Sequence, residues 1–189
     1  MKKFIYIIFA ASLMASCTPR EKAQDSNEVA EEANEDKFDS KKAEKDAEFV
    51  AETVAGNYAE IEMAKLASQK SNNAQVKEVA TFLEAEHTKM LGDLQALAST
   101  KAISIPTDKT DDARKMIEDM SKEEDVKDFN KDWCKEMKDK HEKTIKKFED
   151  RASETEDADL KALIDSALPN LRTHLDRVKA CEESIKDSK

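Results

Sequence analysis

Leu160, Ile164, Ala167, Leu171, His174, Val178, Cys181 and Ile185 follow one another at alternating spacings of four and three. That is the period of one face of an α-helix, sustained here for about seven turns. A similar spacing links Val76, Ala80, Leu83, His87, Met90, Leu94 and Leu97, and again Val126, Phe129, Trp133, Met137, His141, Ile145 and Phe148. Two glycines and three prolines in 189 residues leave little to interrupt such runs. Strands would need a period of two, so the chain is read as all-α.

The first long helix is expected over Asp46 to Lys70, with Val50, Val54, Asn57, Ile61, Ala64 and Ser68 on its inner strip. Ser71-Asn72-Asn73 ends it and caps a second, which runs to about Thr100. A connector around Pro106 and a short helix near Asp111 to Met120 come next. Ser121-Lys122-Glu123-Glu124 has the form of a capping box and is expected to open the third long helix, which reaches Arg151. The fourth begins near Asp157, and Pro169 is expected to kink it just over one turn before His174. Short 1–2 and 3–4 turns with a longer 2–3 crossover describe an antiparallel four-helix bundle over residues 45–186, with a short extra helix in the crossover.

The amino terminus has the form of an export signal. Lys2 and Lys3 precede an apolar run from Phe4 to Ala15, too short to span a bilayer of about 30 Å. Leu13-Met14-Ala15-Ser16-Cys17 resembles a bacterial lipobox with Met14 where leucine is usual. Residues 1–16 are therefore read as a lipoprotein signal peptide, with Cys17 lipidated as the membrane anchor. Residues 17–44 are acidic and poor in core-forming side chains, and are expected to be a flexible tether with a short helical patch near Asn27 to Asp36. Thr18 in place of an aspartate favours the outer membrane over the inner one.

A net charge of −10 opposes binding to phosphate backbones, so a nucleic-acid partner is not expected. No phosphate-cradling glycine loop, nucleophile elbow or paired acid/base carboxylates stand out, and no catalytic residue is assigned. An acidic surface with 5% aromatic residues also disfavours a membrane-active bundle.

The three histidines, His87, His141 and His174, each fall inside an apolar seam near the middle of a different helix. Antiparallel register across the first turn sets His87 opposite about position 57, with Glu60 less than a turn away, and register across the turn between the third and fourth helices sets His141 opposite His174. A buried imidazole must place one N–H and one lone pair. One reading is a polar layer that fixes helix register, with Glu60 or Asn57 accepting imidazole protons. The other is a mononuclear site for zinc, copper or iron built from the three histidines and Glu60. A di-iron site needs two Glu-x-x-His repeats, but only Glu84 to His87 supplies one, because Lys138 and Leu171 stand where the other glutamates would be.

Cys134 lies seven residues before His141, and Cys181 seven after His174. In an antiparallel pair the cysteines therefore meet if the histidines do, and a disulfide is expected in an oxidising compartment. Closing a loop of about 48 residues would contribute about 4 kcal/mol through unfolded-state entropy.

DAEFVAETVAGNYAEIEMAKLA, VATFLEAEHTKMLGDLQALA, DFNKDWCKEMKDKHEKTIKKFE and LPNLRTHLDRV occur in that order. Together they resemble an exported bacterial family, domain of unknown function 4142, over about Lys45 to Ile185. The resemblance implies a ferritin-like fold and no established reaction. It matches the family's recurring motifs at Glu60, His87, His141, Pro169 and His174. The sequence thus leads to a non-enzymatic envelope lipoprotein, a binding or stress-related structural module. A metal-binding envelope protein is the alternative.

Overall fold

A computed structural model describes residues 25–186, so the leader, Cys17 and the first tether residues lie outside the described residues. Within them the chain is all-α: α1 (Ser26–Glu35), α2 (Lys41–Lys70), α3 (Ala74–Lys101), α4 (Asp111–Ser121), α5 (Val126–Glu154) and α6 (Ala158–Lys186). The four long helices form a bundle in which α2 packs on α3, α5 on α6, α3 on α6 and α2 on α5. None of the described helices is long and apolar enough to cross a membrane.

Side-chain caps explain the helix boundaries. Asn73 Oδ1 accepts from the backbone N–H groups of Gln75 and Val76, and Asp157 Oδ1 from those of Asp159 and Leu160, which opens α3 and α6. Ser40 caps α2 through the N–H of Ala43, so that helix starts at Lys41, ahead of the expected Asp46. The capping box expected at Ser121 is not the start of α5. Ser121 is the last residue of α4, its hydroxyl donating to the Glu118 carbonyl, and α5 is capped by Asp125, which accepts from Lys127 and Asp128 N–H. A carboxylate holding two N–H groups next to the positive end of the helix dipole outcompetes the serine.

α1 is docked on the crossover, so this part of the acidic segment is not a free tether. Asn34 and Ser104 exchange two hydrogen bonds, of 2.9 and 2.8 Å. Asp25 caps α1 with one carboxylate oxygen and accepts from Asp111 N–H with the other. The buried face is Asn27, Ala30 and Asn34, which carries almost no apolar signal.

α3 ends in a Schellman turn, with Ile103 N–H donating to the Ala98 carbonyl and Ala102 in the left-handed region at φ 56°. α6 runs through Pro169 as one helix, although the ring removes the N–H that would reach the Asp165 carbonyl.

The core falls into two apolar clusters. One gathers Met63, Leu83, Phe129, Trp133 and Val178, with Trp133 Nε1–H donating to the Met63 carbonyl. The other gathers Phe49, Val54, Leu94, Phe148, Ile164 and Leu171. Between them every long helix contributes one buried polar side chain to a single layer: Glu60 from α2, His87 from α3, His141 from α5 and His174 from α6.

Candidate metal centre

The three histidines flagged in the sequence converge. Their ring centroids are 5.1 to 5.4 Å apart pairwise, and one nitrogen from each falls within 4.8 Å of the others. Glu60 completes the layer, with Oε2 2.9 Å from His87 Nε2 and 3.6 Å from His141 Nε2. All four side chains are buried, between 0% and 6% exposed as residues.

Hydrogen bonds outside the layer fix two of the rings. Asn57 donates through Nδ2 to the Thr53 carbonyl, which turns its Oδ1 toward His87 Nδ1 at 3.0 Å. An amide oxygen only accepts, so His87 Nδ1 carries the proton. This is the register expected from the first turn, which set position 57 opposite 87. His141 Nδ1 likewise donates to the Met137 carbonyl at 2.8 Å. In the neutral rings both Nε2 atoms are therefore lone pairs, and they face each other at 3.4 Å with a carboxylate oxygen beside them. Glu60 Oε2 itself has no aligned hydrogen bond despite the short approach.

His174 is bound differently. Both its nitrogens are buried without a hydrogen-bond partner, and Nε2 is 3.9 Å from Glu86 Oε2. Phe82 packs edge-on against the ring, and the Arg177 guanidinium sits 4.0 Å over Phe82.

Electrostatics follow from this crowding. Burial pushes the Glu60 carboxyl up, but the facing imidazoles of His87 and His141 outweigh it and hold the group well below the usual carboxylate range. Burial, then the neighbouring charge of His87 and His141, lowers His174 to about 3. Burial also lowers His141, opposed by Glu60. Burial thus disfavours the protonated forms of His141 and His174, while the Glu60 carboxylate beside them stays ionised.

Tetrahedral zinc with Zn–N bonds of about 2.0–2.1 Å sets its ligand atoms roughly 3.3 Å apart. The His87–His141 nitrogen separation of 3.4 Å already meets that spacing. Outer hydrogen bonds from ligand Nδ1–H to an amide oxygen and a backbone carbonyl are the usual support of metal-bound imidazoles.

The expected disulfide is not seen. Cys134 and Cys181 are free thiols, both fully buried, with their sulfurs 3.1 Å apart. The sulfur–sulfur hydrogen bond and burial push the Cys134 thiol up. The sequence register brought the two cysteines together correctly, one heptad from the histidines. Glu86 was missed as a neighbour of His174. Its spacing with Met90 and Asp93 marks a stripe beside the His87 seam, which could have drawn notice.

No curated protein and no solved structure gives a significant match to the chain. The profile of the family described as domain of unknown function (DUF4142) matches residues 19–181, a stretch that takes in Glu60, the three histidines and both buried cysteines. The chain belongs to that family.

Proposed function

We propose that this chain is a non-enzymatic metal-binding lipoprotein of the bacterial cell envelope, carrying one divalent ion between His87, His141, His174 and Glu60. The observation that carries the reading is the pair of Nε2 lone pairs on His87 and His141, 3.4 Å apart, with Glu60 Oε2 against them. A proton shared with Glu60 would relieve part of that crowding. It would leave His174 with nothing to bind.

Zinc suits the donor set best. Three neutral imidazoles and one carboxylate give four ligands, and the buried layer offers little room for the five or six that iron(II) prefers. Copper remains the competitor for nitrogen ligands. Ferritin-like bundles likewise draw their metal ligands from all four long helices, and a ferritin-like arrangement is proposed on that ground. Attachment to the outer membrane through lipidated Cys17 rests on the leader sequence. Oxidation of Cys134 and Cys181 to a disulfide rests on their sulfur contact and on that location.

A register-fixing polar layer is the second reading. It is favoured by the fact that Asn57 and the Met137 carbonyl accept the Nδ1 protons of two of the rings without any ion. Elemental analysis of untagged protein isolated from the envelope separates the two. The metal reading expects one zinc per chain, and metal-free protein would leave the register layer.

A further inference from the structure

All four proposed ligands are closed off from solvent, so an ion needs a route to them. The helix pairs around the layer differ in what they offer a cation. The groove between α2 and α5 has a volume of about 410 Å³, but its lysines (Lys143, Lys146, Lys147) are matched against carboxylates such as Glu48, Glu52 and Asp150, and none of the four donors lines it. On the flank of His174, Phe82 and the Arg177 guanidinium cover the ring. A smaller cleft of about 40 Å³ lies between α3 and α6, and His174 is one of its lining residues.

That cleft joins surface carboxylates to one of the four donors. Glu86 and Asp93 line it from α3 with Lys89 between them, and Ser166 and Asn170 from α6. Glu86 is at the surface, 35% of its side chain exposed, with Oε2 3.9 Å from His174 Nε2. His174 is 1% exposed and has no partner on either nitrogen, although it lines an opening toward solvent. An unpartnered buried imidazole behind an exposed carboxylate has the order of a relay, from a hard oxygen that takes an aqua ion to a nitrogen that strips it further. The α6 wall lies beside Pro169, where one backbone hydrogen bond is missing, which lowers the cost of a local outward movement.

We propose that the α3–α6 cleft is the port of the metal centre: Glu86 captures the divalent cation, and His174 passes it to the His87–His141–Glu60 side of the layer. This inference rests on the metal reading above. It assigns to Glu86, and to the acidic field that Asp93 adds, control of the rate of loading rather than of affinity. A residue that only gates passage changes association and dissociation together and leaves their ratio intact.

The test is zinc uptake by metal-free full-length protein, followed by competition with a chromophoric chelator in stopped flow, with equilibrium stoichiometry measured on the same samples. Glu86→Gln is expected to slow uptake by about tenfold, the low end of what a charged cleft adds to an association rate. Release is expected to slow with it, because the ion leaves through the same step. Ser166→Phe, which covers the cleft from an exposed position, is expected to slow both as well. Glu52→Gln, in the α2–α5 groove, should load at the wild-type rate. Circular dichroism melts confirm that each variant is folded. Wild-type uptake rates in both Glu86→Gln and Ser166→Phe, with full stoichiometry, would overturn the port and leave the metal centre standing. Affinity lost in Glu86→Gln at an unchanged association rate would also overturn it, since Glu86 would then be a ligand. A wild-type protein that takes up no zinc would remove the metal reading and the port with it.

Discussion

His87 and His141 turn their Nε2 atoms toward each other across 3.4 Å, while each commits its Nδ1 proton to an oxygen behind it, Asn57 Oδ1 for one and the Met137 carbonyl for the other. Two lone pairs brought together in a buried layer need a proton or a cation between them. Each outer hydrogen bond selects the tautomer that makes the layer a ligand set.

Asn57 should therefore matter to metal without touching it. Asn57→Leu removes the acceptor of the His87 Nδ1 proton, and a tenfold to hundredfold loss of zinc affinity is expected, the usual cost of deleting an outer partner of a metal-bound histidine. Isothermal titration measures it. An affinity unchanged by Asn57→Leu would show that the orientation of His87 does not depend on this bond.

Acid should destabilise the metal-free bundle through His174. Its folded value of about 3 lies below the 6.5 of an exposed imidazole, so the unfolded chain binds the proton first. The contribution of neutral His174 is complete above pH 6.5 and is lost progressively as pH falls toward 3. Across that window one group costs about 1.4 kcal/mol per pH unit. Glu60 adds loss at the lower end, because its carboxyl is held below its ordinary value and protonates only in stronger acid. Urea midpoints against pH should slope less steeply in His174→Leu, and equal slopes would place the acid sensitivity elsewhere.

Cys134 and Cys181 should be found oxidised in protein isolated from the envelope. Exchange with a disulfide-bearing oxidant would proceed by attack of one thiolate on the oxidant's disulfide, followed by displacement of the oxidant sulfur by the second cysteine. The oxidant leaves reduced to its dithiol, taking up two electrons and the two thiol protons. Both sulfurs are fully buried once folded, so the exchange belongs to the folding stage. Reduction should lower stability by about 4 kcal/mol through loop entropy. Alkylation in denaturant without reductant labels neither cysteine in this case, and labelling of both would contradict it.

Ala102 occupies the left-handed position that ends α3, φ 56°, where an L side chain is strained. Ala102→Gly should stabilise the bundle by about 1 kcal/mol in thermal or urea unfolding, and a destabilisation would mean the Ala102 methyl packs usefully in the turn.

The bundle was legible because its seams keep their period past the polar positions, so His87, His141 and His174 could be placed by register alone. Position 57 opposite 87, and Cys134 opposite Cys181, followed from short turns that fix neighbouring heights. The crossover between Lys101 and Val126 does not fix the height of one hairpin against the other. Only the packing of α3 on α6 and α2 on α5 brings Glu60 level with all three rings. α1 was harder to see as a docked helix, because two of its three buried residues are Asn27 and Asn34, which carry no hydrophobic signal, and it is the Asn34 amide that bonds to the crossover. At Ser121 a valid local motif lost to a stronger cap four residues later, a competition that spacing does not rank.

The central claim is that four side chains, one from each long helix, close around one ion, and His174 tests it most directly because it makes no hydrogen bond without one. The measurement is the melting temperature of metal-free wild type and His174→Leu, each with and without zinc at a hundredfold excess over the dissociation constant measured for wild type. The wild type should rise by the equivalent of about 2.7 kcal/mol, and the variant should not respond. Zinc that fails to move the wild type, or that moves His174→Leu equally, would contradict the site.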